Sequence, residues 1–400
     1  MIKRLVKALI RRLIWGVCFF FPIKKNRIVF SSYYGRGYGD NLKYICDKLT
    51  NAGFDIIWLV KTTDEARFLP DNVKPVKTGL RSVYYLTTAN VWINNCRSGF
   101  LFKKKKQFYI QTWHGGGGQK RCELDVVDKL EHSYVKMAKR DAQMTDLMVS
   151  ESRFMTDLYY NSFWYNGPVY ECGYPRYDIL LNEDKKIVQK VYDYFNIEKA
   201  KKIVLYAPTF RADNSFDAYN IDFNRLIVNL KKKFNEDYVV LVHLHPNVAN
   251  IDGKFIYDGQ SVINSTFYPD TQELLVAASI LVGDYSSINY DFSLKRLPVF
   301  RYAADLDEYQ QDRDFYYSFE EYPYPYAKNN DELEKLILNF DNEKYLVDLN
   351  EFFKKIGAVF CANSAQKIAD IIKDYIKAEN KKLFFKNNKY KFIHKKEVEK

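Results

Sequence analysis

Three of the five histidines end short apolar runs, where an imidazole can reach a ligand. The first lies in Gln111-Thr112-Trp113-His114-Gly115-Gly116-Gly117-Gly118, directly after a run that reads as a strand, Gln107 to Gln111. Consecutive glycines let backbone N–H groups come close to a ligand, and a histidine at a strand's carboxyl end faces the crevice where α/β sheets bind substrates. Imidazole titrates near neutrality, so His114 can take a proton from an attacking alcohol and is a candidate general base. A flexible glycine turn beside a structural histidine accounts for the same residues. A P-loop is excluded, because the Gly-Lys-Ser/Thr order is missing.

The second group is His243-Leu244-His245-Pro246-Asn247, after the apolar run Tyr238 to His243. Strand alternation puts His243 and His245 on one face, where both can reach one ligand. With no adjacent carboxylate, phosphate contact fits the pair better than a metal. A third segment, Gly283-Asp284-Tyr285-Ser286-Ser287, leads from a strand into a helix, so Ser286 and Ser287 suit a pyrophosphate at a helix start. Ordinary capping by Asp284 or Ser286 is the plainer alternative. Thr209-Phe210-Arg211 follows another strand and offers a guanidinium fork to phosphate. Asp305 and Asp307 form a DxD pattern, but an acidic surface turn explains them more simply, and no metal site is expected.

These residues must be carried by strands and helices in alternation. Candidate strands are Arg27–Ser31, Asp55–Val60, Val91–Asn94, Gln107–Gln111, Leu147–Val149 and Val169–Glu171; a second series runs Lys202–Ala207, Tyr238–His243, Ser261–Asn264, Ile280–Gly283 and Pro298–Phe300. The pattern is that of parallel α/β architecture, and two successive series predict two domains with a cleft between them. A charged amphipathic helix is expected at Lys185 to Phe195. The expected division is a membrane-association segment at 1–25, one α/β domain at 26–178, a second at 179–378 and a basic tail at 379–400.

Hydrophobic residues make up 47% of the chain, enough for large cores, and 61 Lys plus Arg against 50 Asp plus Glu give a formal charge of +11. That excess points to anionic partners such as nucleotide, phosphate polymer, nucleic acid or acidic lipid. The six cysteines show neither a disulfide framework nor zinc spacing, so reduced thiols are expected. The apolar stretch Leu13 to Phe21 is far short of the roughly 20 residues that span a bilayer. Phe19, Phe20, Phe21 and Pro22 stand where a signal-peptide cleavage site needs small residues. The expectation is an interfacial helix, with Lys3, Arg4, Lys7, Arg11 and Arg12 on headgroups and Leu5, Leu9, Leu13 and Trp15 in the acyl boundary. A helix that merely packs on the protein is the alternative. From Lys381 the chain is basic and interleaved with aromatics, suited to single-stranded nucleic acid, to an anionic membrane, or to simple solvation.

In order, Thr112-Trp113-His114-Gly115, Gly173-Tyr174-Pro175-Arg176-Tyr177-Asp178, Leu205-Tyr206-Ala207-Pro208-Thr209-Phe210-Arg211, His245-Pro246, Gly283-Asp284-Tyr285-Ser286-Ser287 and the pair Tyr309 and Arg313 resemble the CDP-glycerol glycerophosphotransferase family, which primes and polymerises teichoic acids. The resemblance covers about half the chain. It implies a GT-B fold, two Rossmann-like domains facing each other across a cleft, the acceptor domain at 26–178 and the nucleotide-donor domain at 179–378, preceded here by a basic membrane-association helix. It also implies that His114 is the base and His245 a second catalytic residue. Thr209, Arg211, His243, Pro246, Asp284, Ser286, Ser287 and Arg313 then fall to the donor phosphates and nucleotide, and Trp113, Gly115, Gly116 and Arg176 to the acceptor side.

Two departures are visible: Gly116-Gly117 replaces the family's Thr-Pro, and His243 replaces a basic residue. The implied reaction moves glycerol phosphate or another polyol phosphate from a CDP-polyol to an acceptor hydroxyl, lipid-linked or glycan, with release of CMP. It calls for no cofactor and no nucleic acid, and for peripheral attachment to the anionic inner leaflet on the cytoplasmic side. The rivals are a GT-B enzyme using a nucleotide sugar and a noncatalytic nucleic-acid or membrane binder using Lys103–Lys106 and the tail.

Overall fold

The strand Arg27–Ser31 (β1) is buried along its whole length, a pattern that requires cover on both faces of a parallel sheet. A computed structural model supplies that cover and describes residues 2–209, 211, 217–244, 255–312, 314–378, 384–385 and 388–398. The chain forms two compact units. Unit 1 comprises Met1–His114, Cys122–Asp178 and Val359–Lys400; unit 2 comprises Gly115–Arg121 and Ile179–Ala358.

Unit 1 adds Asp55–Val60 (β2), Val73–Lys77 (β3), Val91–Asn94 (β4), Phe108–Gln111 (β5), Leu147–Ser150 (β6) and Val169–Glu171 (β7) in the order β3-β2-β1-β4-β5-β6-β7. Its pairings are parallel, with Ile28 opposite Ile56 on one side and Val91 on the other. Strand order reverses between β1 and β4, which opens the crevice where such sheets take ligands. Helices Ile2–Phe19 (α1), Asp40–Asp47 (α2) and Leu80–Thr88 (α3) belong to this unit, and Trp15, Leu59, Val83, Leu86 and Trp92 share one core cluster.

Unit 2 holds Lys201–Tyr206 (β8), Asp237–Val242 (β9), Val262–Asn264 (β10), Ala278–Gly283 (β11), Val299–Tyr302 (β12) and Tyr326–Ala327 (β13), in the order β10-β9-β8-β11-β12-β13 and again parallel. The expected helix Lys185–Phe195 forms: Asp184 accepts from the Lys186 N–H at its start, and Asn196 ends it in the left-handed region at φ 52°.

Four expectations need correction. Two short edge strands were missed. β3 reads Val-Lys-Pro-Val-Lys with buried residues only at Val73 and Val76, and a proline inside a run is tolerated at an edge. β13 has two residues and no periodicity to read.

The boundary at 378 is also different, because helix Ser364–Lys377 belongs to unit 1. Asp178 accepts from the N–H groups of Ser364 (2.8 Å) and Ala365 (2.9 Å), and Tyr375 stacks on Phe108 with ring centres 4.4 Å apart. The described part of the tail folds on the same unit. Val169 and Ile393 exchange backbone hydrogen bonds of 2.9 and 2.8 Å, while Phe384 and Phe392 are buried, so these rings are not a free ladder for bases. In the other candidate nucleic-acid patch, Lys103 is spent on Asp146 at 2.8 Å.

Helix α1 is apolar on two faces. Trp15 is 1% exposed and donates from Nε1 to the Phe102 carbonyl, so it enters unit 1 rather than an acyl layer. Val6, Leu9, Ile10, Leu13 and Val17 are exposed, and their spacing puts them on the opposite face. The side chains of Lys3, Arg4, Leu5 and Lys7 lie outside the described residues. Among the described residues no helix is long and apolar enough to cross a membrane. All six cysteines are free.

Candidate active site

In unit 1 the chain leaves β5 through Thr112 and bends at Trp113, whose φ of 56° is left-handed. Such a conformation in a bulky residue costs on the order of 1–3 kcal/mol and persists only where neighbours hold it. Here the Gln111 side chain accepts from the Trp113 N–H at 3.0 Å, Asn41 donates to the Trp113 carbonyl at 3.1 Å, and the indole packs edge-on against Phe163. The bend delivers His114, half-buried, with Tyr33 meeting its ring edge-on at 5.5 Å between centres.

The His114 ring is oriented by one strong contact: Nδ1 lies 2.6 Å from the Asn95 carbonyl oxygen. A carbonyl only accepts, so Nδ1 carries the proton and Nε2 keeps its lone pair. No partner for Nε2 is recorded among the described residues. Burial lowers the imidazole pKa, opposed by the Asn95 contact and the charge of Asp40, which keeps the ring neutral and basic near pH 7. A neutral imidazole with one lone pair left to accept can take a proton from an O–H.

The loop bearing Asn95 is itself anchored. The Asn95 amide donates to Asp40 and accepts from the Tyr33 N–H at 2.9 Å. Asp40, at φ 56°, is ion-paired with Arg176 at 2.9 Å, and both are buried. Two residues on, Arg97 is buried between Glu123 (3.1 Å) and the Phe163 carbonyl (2.9 Å), and Ser98 donates to Asp141 from both N and Oγ. Arg176, expected on the acceptor side, is therefore a strut: its guanidinium packs on Tyr174 and Tyr177 and its charge is spent on Asp40. Asp40, Asn41 and Asn95 escaped the sequence reading. The available signal was the glycine-rich run Gly35-Arg36-Gly37-Tyr38-Gly39 between β1 and α2.

The glycines after His114 belong to unit 2, and their use differs from the expected ligand cradle. Gly116 is buried, and Gly117 adopts φ 66° with a hypothetical Cβ only 2.6 Å from the Tyr290 ring, so the close approach is to protein. Tyr322 donates to the carbonyls of Gly118 and Gln119, and the Arg121 N–H to Asp314, which pins the segment.

The donor-side residues of unit 2 gather at the carboxyl ends of β8 and β11. Asp284 accepts from the Thr209 N–H (2.8 Å) and hydroxyl (2.6 Å) and from Arg211 Nη1 (2.9 Å). Asp305 takes the other edge of the same guanidinium, at 2.5 and 3.0 Å, and accepts from the Tyr285 hydroxyl at 2.9 Å. Arg211 is 6% exposed and lies over the rings of Tyr285 and Tyr309. Burial pushes its pKa down, but the two carboxylates more than reverse this and hold it up. Arg211, Thr209 and Asp284 thus form a buried brace rather than an open phosphate fork. The DxD pair is divided, since Asp307 pairs with Lys328 instead.

His243 was expected at phosphate, and its ring is held within unit 2 by two contacts. Nδ1 lies 2.8 Å from the Ser265 carbonyl and Nε2 3.0 Å from the Thr271 hydroxyl, so both ring nitrogens are engaged. Ser286 and Ser287 stay partly exposed after β11 and lead into the short helix Ile288–Ser293. The turn is tight enough that a Cβ on Gly283 would sit 2.0 Å from Asn289 Oδ1. His245, Pro246 and Arg313 lie outside the described residues.

Residues 14–374 match the family described as CDP-glycerol:poly(glycerophosphate) glycerophosphotransferase. A teichoic acid glycerol-phosphate transferase of Staphylococcus aureus is 30% identical over 93% of this chain and 100% of its own length. A teichoic acid poly(glycerol phosphate) polymerase of Staphylococcus epidermidis is 29% identical over 89% of this chain, which spans 52% of that protein. A solved structure of the wall teichoic acid polymerase TagF, a variant soaked with CDPG, superposes with a TM-score of 0.80 at 27% identity, covering 94% of this chain and 98% of that one. The architecture of two parallel-sheet units is the GT-B-like α/β fold.

Proposed function

The chain belongs to the CDP-glycerol:poly(glycerophosphate) glycerophosphotransferase family, and from that premise we propose that it transfers glycerol phosphate, or a related polyol phosphate, from a CDP-polyol to an acceptor hydroxyl during synthesis of a teichoic-acid-like polymer. His114 Nε2 takes the acceptor's proton as the hydroxyl oxygen bonds to the β-phosphorus, and the bond to the bridging oxygen breaks to release CMP. The transferred phosphorus carries charged nonbridging oxygens, so placement and electrostatic clamping contribute most of the rate. The partly exposed Ser286 and Ser287 suit that clamp, with His245 and Arg313 assigned to it by the family motif. Arg211 acts through it, by bracing the strand ends that carry these residues.

The observation that carries this reading is the fixed tautomer of His114, with Nδ1 on the Asn95 carbonyl and Nε2 left to accept. Incubation with CDP-glycerol, CDP-ribitol and a panel of nucleotide sugars, reading nucleotide release, tests it: CMP from a CDP-polyol is the expected product. Release from a nucleotide sugar alone favours the glycosyltransferase reading instead.

The exposed stripe of α1 supports peripheral attachment to the cytoplasmic face of the membrane. Five apolar side chains point outward on a helix that also carries Arg12, in a chain of net charge +11. Sedimentation with phosphatidylglycerol vesicles tests this, and unchanged recovery in the supernatant overturns it.

A further inference from the structure

A cavity of about 500 Å³ lies at the β13 edge of the unit 2 sheet, between the chain leading into β13 and the helices Asn330–Leu338 and Asn342–Ile356. None of the donor-side residues described above lines it. Tyr322, Tyr324, Tyr326, Phe340 and Tyr345 supply its walls, and Arg301, 2% exposed, lines it from β12. Arg301 donates from Nε to the Tyr324 carbonyl at 2.9 Å and from Nη2 to the Phe319 carbonyl at 2.7 Å, with the guanidinium 3.5 Å from the centre of the Phe319 ring. Among the described residues Arg301 has no ion pair, and Nη1 is left with no recorded partner. Arg211, just as deeply set in the same unit, holds two carboxylates. Burial pushes the Arg301 pKa down to about 9, so it stays charged near pH 7 without a counter-ion in contact. A buried charge left in that state is costly unless something pairs with it.

We propose that this cavity binds a phosphodiester of a polyol, with Arg301 receiving the phosphate, and that the phosphodiester is a unit of the polymer this enzyme extends, held by residues other than the reacting ones. The proposal rests on the transferase reading and deepens it by giving the product chain a second place to bind. Charge selects the diester. Arg301 and Lys344 face Glu320, Asp341 and Asp348 around the cavity, an excess of one negative charge. A phosphate monoester brings about two charges near pH 7 and meets that excess, whereas a diester brings one. The carboxylates accept hydrogen bonds from polyol hydroxyls, and the tyrosine rings offer apolar faces to the carbon chain. The same diester occurs in a phosphatidylglycerol headgroup. The exposed Asp341, Lys344 and Asp348 at the rim favour the polymer, because they offer an anionic bilayer more negative than positive charge and no apolar side chain to insert.

Calorimetric titration of the full chain with glycerophosphoglycerol, glycerol 3-phosphate and inorganic phosphate needs no donor and so tests the cavity independently of turnover. Glycerophosphoglycerol is expected to bind about tenfold or more tighter than the other two. Arg301→Gln should weaken it about tenfold, and Lys344→Glu about three- to tenfold. Thermal melts check folding; Lys344 is exposed, so its variant decides the matter if Arg301→Gln melts low. No binding of glycerophosphoglycerol, equal affinity for glycerol 3-phosphate, or unchanged binding in Lys344→Glu overturns the proposal. Capture by phosphatidylglycerol vesicles should not follow the variant. If it falls by the factor seen for glycerophosphoglycerol, the cavity belongs to a lipid headgroup and the polymer reading is overturned. Failure to release CMP from any CDP-polyol sinks the transferase reading separately, and leaves the diester bound or unbound as the calorimeter finds it.

Discussion

The Asn95 carbonyl oxygen accepts the Nδ1–H of His114 at 2.6 Å, and that single contact decides which nitrogen of the ring can act as a base. Replacing His114 by Asn keeps a planar amide of similar size and removes the basic nitrogen. CMP release should fall by roughly 10²–10⁴-fold, the usual contribution of a general base, with an unchanged melting temperature. Comparable rates in the variant and the parent remove His114 from the chemistry.

Burial holds the His114 pKa below its ordinary value, so the neutral, active form persists to lower pH than for a free imidazole. The acid limb of kcat/KM should have its midpoint below about 6.5. Stability follows the same sign. Between the folded and unfolded pKa values the unfolded chain binds the extra proton, so the contribution is present above about 6.5 and is lost as pH falls toward the folded value. Urea melts from pH 7.5 down to 5 should show this slope, and His114→Asn should flatten it.

Arg176 and Asp40 are both buried, and removing one partner leaves an uncompensated charge. Arg176→Ala should therefore cost about 3–5 kcal/mol of stability. Asp40→Asn keeps a hydrogen-bonding amide and should be milder, yet it should still lower kcat by loosening Asn95. A full-rate Asp40→Asn enzyme would show that the His114 support does not depend on this pair.

The brace in unit 2 makes a comparable prediction with a different readout. Arg211→Ala exposes Asp284 and Asp305 to each other's charge and should destabilise unit 2 by about 3–5 kcal/mol, visible in the thermal transition. An open phosphate ligand would instead raise the donor KM and leave the melt unchanged.

The two faces of α1 separate by substitution. Trp15→Ala empties a fully buried site and should cost about 3–5 kcal/mol. Leu13, 62% exposed, should tolerate Asp within about 0.5 kcal/mol while vesicle binding falls. Vesicle binding that is insensitive to Leu13→Asp would mean the stripe does not meet lipid.

What was legible in the sequence was local. The strands β1, β2 and β7 and the helix Lys185–Phe195 fall where their patterns put them, because periodicity and caps act over a few residues. The partners of the site residues are far away in sequence: Arg211 is braced by residues 73 and 94 positions on, and Arg176 by one 136 positions back. A guanidinium after a strand reads alike whether it awaits phosphate or already holds two carboxylates. Trp15 was misread for a related reason. A helix with apolar residues on two faces does not say which one the protein keeps.

The route of the chain has a consequence for biosynthesis. Unit 2 is mostly one continuous stretch, Ile179–Ala358, whereas unit 1 is finished only by residues after Val359, including the helix that lies against Phe108. A ribosome making this chain has emitted all of unit 2 before the last helix of unit 1 exists. The later part can close first, and the half bearing His114 must wait, with one flank of its sheet uncovered, until translation is nearly over.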